Sequence, residues 1–121
     1  MKAKSSVLPH AVVAYPTIVG KVLTQKRQSL GMKQSDLAAA LKMSQSAYSR
    51  LESGDSIVNL AQLHIIAPHL GMSPSEVLDS ADRYAAHLRQ QGVDVVSEKP
   101  ANPAAVAVGL GLLLALLLAS A

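Results

Sequence analysis

Cysteine, tryptophan and phenylalanine are absent from the sequence, and three tyrosines are its only aromatic residues. The absence of cysteine excludes disulfides and thiolate metal sites. The shortage of aromatic rings requires a core built from aliphatic side chains. The sequence contains no nucleophile elbow, phosphate-binding loop or paired-carboxylate arrangement, and its four histidines lack metal-ligand spacing: His10, His64, His69 and His87. We therefore predict that the chain is not an enzyme and needs neither a metal nor a cofactor.

The net charge of +3 conceals an uneven distribution of charge along the chain. Residues 17–51 contain six basic residues against the single acid Asp36, whereas residues 52–98 contain seven acids against Arg83 and Arg89. A basic half of this kind suits a surface that faces phosphate, and a solvated basic face without a ligand is the alternative. The 121 residues are enough for one small domain with attachments.

The most informative stretch is residues 34–54, QSDLAAALKMSQSAYSRLESG, which contains two short helical patterns. Each pattern places three apolar residues on one face: Leu37, Ala38 and Leu41, then Ala47, Tyr48 and Leu51. A three-residue turn separates the patterns, Ser44 is suited to cap the second helix, and Gly54 ends it. Two short helices joined in this way form a helix-turn-helix, whose second helix can enter the major groove of DNA.

This stretch resembles the DNA-binding domain of the Cro and phage-repressor (Xre-type) regulators, and the resemblance extends over residues 17–78. It includes Gln34 at the start of the first motif helix, the small Ala38 where the two helices cross, and the run S-x-x-x-Y-S-R-L-E-S-G. Arg27 matches the position whose guanidinium pairs with the glutamate at Glu52. The resemblance implies a five-helix lambda-repressor-like domain that binds double-stranded DNA as a homodimer.

The resemblance and the helical geometry together assign roles to individual residues. Four residues fall on the exposed face of the second motif helix and are predicted to contact bases: Gln45, Ser46, Ser49 and Arg50. Glutamine can bond adenine through two hydrogen bonds, and arginine can do the same with guanine. Three others are predicted to contact phosphate: Gln34, Lys33 and Lys42. Tyr48 invites a role in base stacking, but its place in the apolar set favours core packing.

Two residues depart from the family pattern. Lys42 occupies the turn position that is usually glycine, so a left-handed backbone there carries a steric penalty. Lys33 stands where a serine or asparagine usually caps the first motif helix, and the missing cap costs about 1 kcal/mol.

The remaining segments frame this domain. We predict an N-terminal arm over residues 1–16, a DNA-binding domain with an extended fifth helix over residues 17–91, and a linker over residues 92–103. The arm is either a floppy terminus or an extended segment lying on the domain or on DNA. A short strand is an option at residues 93–96. The distal part of the fifth helix, residues 81–88, packs either against a second copy or within the chain.

Residues 104–121, AAVAVGLGLLLALLLASA, contain no charged residue. As a helix they would be about 27 Å long, close to the hydrocarbon thickness of a bilayer. We predict a membrane-spanning anchor, and small residues at four-residue spacing would let two such helices approach closely: Ala107, Gly111, Ala115 and Ala119. The alternative is a hydrophobic helix buried inside a soluble oligomer.

The sequence thus predicts an all-α protein with a five-helix domain, a linker and one hydrophobic C-terminal helix. The predicted function is a dimeric, sequence-specific regulator, held at the cytoplasmic face of a bacterial inner membrane, with the cytoplasm as the alternative location. Dimerisation would use the fifth helix, the tail or both. Two other functions stay open: a membrane-anchored adaptor that binds a protein partner, and a soluble repressor or antitoxin with a partner-binding tail.

Overall fold

The computed structural model describes residues 10–120, and over this range the chain forms six helices and a two-stranded sheet. The helices are α1 (Tyr15–Ser29), α2 (Gln34–Ala40), α3 (Gln45–Ser53), α4 (Leu60–His69), α5 (Pro74–Gln90) and α6 (Pro103–Ser120). The strands are β1 (Val12–Ala14) and β2 (Asp94–Val96).

Helices α1 to α5 surround one aliphatic core. Helix α1 lies at the centre, because it packs against both α3 and α5. Seven of the side chains that fill the core are fully buried: Ile18, Leu23, Leu37, Ile66, Leu70, Val77 and Leu88. Gly20 lets α1 approach α3 closely, since a Cβ atom at this position would collide with the carbonyl oxygens of Leu51 and Glu52.

Side-chain caps define where the later helices begin. The side chains of Ser44, Asn59 and Ser73 accept hydrogen bonds from the backbone N–H of the third residue of α3, α4 and α5, respectively. At the start of α5, Pro74 occupies the first helical turn and Glu76 completes a capping box. The distal half of α5 packs within the chain, because Ala81, Ala85 and Leu88 are buried.

A parallel sheet joins two segments that the sequence analysis placed outside the domain. Strand β1, from the predicted arm, pairs with β2, from the predicted linker, with Val13 opposite Val95. All three residues of β1 are buried, and α1 follows directly at Tyr15, two residues before the predicted start of the domain. The prediction of an all-α fold holds for the helices, and the short strand considered at residues 93–96 forms as β2, so the correction concerns the arm, which contributes β1. The rest of the predicted arm, residues 1–9, lies outside the described residues.

Helix α6 requires a second correction. No helix within residues 10–120 is long and apolar enough to cross a membrane. The structure therefore does not support the predicted membrane anchor. It also does not support the membrane partner and the membrane location that were inferred from that anchor. Instead α6 packs against β1 and α5 and buries Ala105, Leu113 and Leu117. Gly109 permits the close approach, because a Cβ atom there would collide with the carbonyl group of Val12. This arrangement is closer to the alternative prediction of a buried hydrophobic helix. That alternative placed the helix inside an oligomer, whereas α6 is buried within one chain.

Candidate nucleic-acid interface

Helices α2 and α3 form a helix-turn-helix whose inner faces share the domain core. Leu37 and Ala38 of α2 and Tyr48 and Leu51 of α3 are buried, and the two helices contact each other along the turn. The Ser44 hydroxyl accepts a hydrogen bond from the backbone N–H of Ala47 at 3.1 Å, which fixes the start of α3. The arrangement holds the outer face of α3 rigidly on the surface.

Lys42 has the left-handed conformation expected of the turn glycine that it replaces. Its φ angle is 57°, and no other non-glycine residue within residues 10–120 has a positive φ. The Met43 N–H donates to the carbonyl oxygen of Ala38 at 3.0 Å and closes the turn. The predicted departure is confirmed, and Lys42 carries the associated strain.

The outer face of α3 presents the four residues predicted to contact bases. Gln45, Ser46 and Arg50 are exposed and Ser49 is half-buried. The side chains of Gln45 and Arg50 donate no hydrogen bond to any group within the described range, whereas Ser46 lies 3.3 Å from the Ser44 hydroxyl. The donors and acceptors of this row are therefore largely available to an external ligand.

The three predicted phosphate contacts lie in two different environments. Lys33 and Lys42 are exposed beside α2, at its two ends. The Lys33 side chain caps nothing, as predicted, but its backbone N–H donates to the Asp36 carboxylate at 2.8 Å. Gln34 is half-buried, and its side-chain amide donates to Oε1 of Glu52 at 3.0 Å. The amide nitrogen of Gln34 carries a second hydrogen that this bond does not use.

Arg27 and Glu52 form the buried ion pair that the resemblance implied. Arg27 Nε lies 2.7 Å from Oε2 of Glu52 and Nη2 lies 3.0 Å from Oε1, while Nη1 donates to the carbonyl oxygen of Met32 at 2.9 Å. Their side chains are only 11% and 4% exposed. The pair therefore ties the end of α1, the α1–α2 loop and the end of α3 together.

Burial by itself would raise the pKa of Glu52, because it disfavours the charged carboxylate. Hydrogen bonds from Arg27 and Gln34 outweigh this effect and hold the pKa of Glu52 below its usual value. Thr24 adds a contact that the sequence analysis missed, with its hydroxyl 3.0 Å from Oε1 of Glu52. Thr24 precedes Arg27 by three residues and so shares its helical face, which is the signal that would have identified it.

Tyr48 is fully buried beside this network. Burial raises the pKa of its hydroxyl, and the neighbouring Glu52 carboxylate raises it further. Although the two groups are close, the hydroxyl oxygen meets no partner within residues 10–120 at hydrogen-bonding geometry. A buried ring cannot stack on an exposed base, so the structure favours the core-packing interpretation of Tyr48.

Comparison with known protein families identifies the same region as a helix-turn-helix. Residues 23–77 match the profile of a protein family described as helix-turn-helix. The match covers α2, α3 and α4, the second half of α1 and the first turn of α5, and it includes every residue assigned above to DNA contact. Comparisons with curated proteins and with solved structures each gave no match. Within residues 10–120, no group of His, Asp or Glu residues is arranged to hold a metal ion.

Proposed function

Because residues 23–77 are a helix-turn-helix domain of the Xre/lambda-repressor type, we propose that the chain is a transcriptional regulator that reads a specific sequence of double-stranded DNA. One observation carries this proposal above all. The exposed face of α3 presents Gln45 and Arg50, whose side chains have no hydrogen-bond partner within residues 10–120, while Tyr48 and Leu51 are buried on its inner face. A helix that served only to bind an apolar protein surface would not need such a row.

The proposed base contacts are those of α3. Gln45, in the first turn of the helix, is suited to adenine, and Arg50 is suited to guanine O6 and N7. Ser46 and Ser49 can donate hydrogen bonds to base edges or accept hydrogen bonds from them. Each well-formed bidentate contact discriminates against a wrong base by roughly 1–3 kcal/mol.

The proposed phosphate contacts are those at the ends of α2. Lys33 and Lys42 supply charge, which raises affinity and salt dependence without reading sequence. Gln34 contributes the second hydrogen of its amide, and its bond to Glu52 holds that amide in place. In this proposal the Arg27–Glu52 pair acts on DNA binding indirectly, by orienting Gln34.

We further propose that the chain forms a homodimer through the surface around residues 57–60, which follow α3 in the sequence. Ile57 and Leu60 are 64% and 79% exposed, and residues 56–75 contain no Asp, Glu, Lys or Arg. Interface cores are depleted of charge in the same way. A dimer of this kind must hold two recognition helices about 34 Å apart, one turn of DNA, and an interface close to α3 suits that spacing.

The experiment that tests DNA reading is selection of binding sites from a genomic DNA library with the full chain, repeated over a range of salt concentrations. We expect a palindromic site to be enriched. Arg50→Ala should relax one position of each half-site, whereas Arg89→Ala, which removes an exposed arginine of α5, should select the same site. Weak, uniform binding by all three proteins, lost as salt rises, would refute base reading.

The dimer is tested by sedimentation. Leu60→Glu should convert the dimer to a monomer, and Leu118→Glu on α6 is a matched control because Leu118 is also 79% exposed. If Leu118→Glu dissociates the dimer and Leu60→Glu does not, the interface lies on α6 and the proposal for residues 57–60 is wrong.

A further inference from the structure

A groove with a volume of about 1000 Å³ lies between α1, α5 and the end of α6, away from the row of polar residues on α3. This volume is at the upper end of the range typical of small-molecule sites. The proposed DNA-binding function makes no use of the groove. Its walls come from three separate helices, so a ligand there would contact the core of the domain and the C-terminal helix at once.

The chemistry of the groove divides into an apolar floor and a basic rim. Val22, Met72 and Leu116 supply apolar surface from α1, the α4–α5 loop and α6. Lys26 and Arg83 supply positive charge from the two long walls. No aspartate or glutamate lines the groove within the part of the chain that the structure describes.

The two rim cations are not engaged by carboxylates within residues 10–120. Arg83 donates to the Ser80 hydroxyl at 3.2 Å, a neutral partner on its own helix. The nearby acid Asp82 is directed elsewhere, because it accepts a hydrogen bond from Tyr15 at 2.6 Å. The groove therefore carries net positive charge next to apolar surface, which complements an anion with an apolar body.

A single side chain joins the three walls of the groove. Gln25 of α1 accepts a hydrogen bond from the Tyr84 hydroxyl of α5 at 3.2 Å. Its amide nitrogen donates to the carbonyl oxygen of Leu117 at 3.1 Å, in the last turn of α6. The groove is held open in its present form before any ligand arrives, which lowers the cost of binding.

From this geometry we infer that the groove binds a single-chain amphiphilic carboxylate, with the alkyl chain along Val22, Met72 and Leu116 and the carboxylate between Lys26 and Arg83. Arginine suits this headgroup because its planar guanidinium can donate two parallel hydrogen bonds to a carboxylate. A nucleic-acid backbone would leave the apolar floor unused, and an uncharged lipid would leave the two cations unpaired.

The test is calorimetric titration of the full chain with decanoate, below the concentration at which it forms micelles. We expect saturable binding that tightens about two- to fourfold for each added methylene across a series from hexanoate to decanoate. Acetate and decyltrimethylammonium should not bind. Arg83→Gln and Lys26→Gln should each weaken decanoate binding roughly tenfold.

Arg89→Gln is the matched control, since Arg89 is exposed on α5 but does not line the groove. Circular dichroism and thermal unfolding establish that each variant folds. The inference is overturned if decanoate fails to bind, if the decyl cation binds as tightly, or if Arg83→Gln and Arg89→Gln behave alike. The assay contains no DNA, so its outcome is independent of the proposed regulatory function.

Discussion

The buried pair of Arg27 and Glu52 makes the sharpest prediction about stability. Replacing Arg27 by methionine keeps much of the volume of the side chain but removes its charge and the three hydrogen bonds that it donates. Glu52 then keeps the hydrogen bond from Gln34 and the nearby Thr24 hydroxyl, whose single hydrogen is shared with the carbonyl oxygen of Gly20 at 2.8 Å. Its side chain stays 4% exposed. We expect Arg27→Met to lower the free energy of unfolding by about 3–5 kcal/mol, which is the usual cost of removing one partner of a buried ion pair.

The size of this loss of stability depends on pH, and the pKa of Glu52 determines the direction of that dependence. In the native chain the pKa of Glu52 is lowered on folding, so the carboxylate adds stability above its unfolded pKa of about 4.3 and that stability is lost as the pH falls through the folded value. In Arg27→Met the burial penalty dominates and protonation relieves it. Protonation of Glu52 in the variant shrinks the difference between the two proteins as the pH falls from 7, and loss of the native contribution shrinks it further below a pH of about 4.3.

The assay is urea unfolding monitored by circular dichroism at several pH values. Arg89→Met serves as the control, because it removes an exposed arginine and should change stability by less than about 0.5 kcal/mol. Glu52→Leu combined with Arg27→Met should recover much of the loss, since an apolar pair leaves no buried charge. A loss below 1 kcal/mol for Arg27→Met, or a loss that does not vary with pH, would refute the reasoning.

Four further substitutions test three local features. Lys42→Gly should raise the free energy of unfolding by about 0.5–1 kcal/mol in urea unfolding, because relief of a left-handed penalty of roughly 1–2 kcal/mol exceeds the entropic cost of glycine. Lys33→Ser should add about 1 kcal/mol in the same assay by capping α2, and no gain would show that the backbone bond to Asp36 already suffices. Gly109→Ala should speed hydrogen exchange in α6, because the added methyl group pushes the helix away from Val12. Gly111→Ala should slow exchange, because the space around Gly111 is open. Equal effects of the two substitutions would contradict the packing of α6 on β1.

The helical part of the fold was largely predictable, because local signals determine it. Ser44 and Ser73 begin α3 and α5 as their sequence context predicts, and Gly54 ends α3 with a φ of 83°. The strain at Lys42 was also predictable, since it follows from the chemistry of one turn position. The roles assigned to Gln45, Ser49 and Arg50 on DNA stay predictions, because they concern a partner and not the fold.

The sheet was not predictable as a pairing. Each strand has three residues, too few for a periodic pattern, and β1 pairs with residues about eighty positions away. The contact of Thr24 with Glu52 was missed for a different reason. Its signal is its spacing from Arg27, and that spacing gains meaning only once the ion pair is known to be buried.

The two terminal segments were misjudged for one shared reason. Helix α6 is apolar on every side, so its sequence cannot distinguish lipid, a second copy and its own domain as the surface it covers. Strand β1 is too short to show which of its faces is buried. Placed together, they account for each other, because α6 covers the strand and Gly109 lets it approach the backbone of Val12. Segments that look unattached when considered separately form one layer here, so an apolar terminus should be weighed against the opposite end of its own chain before an external partner is assigned to it.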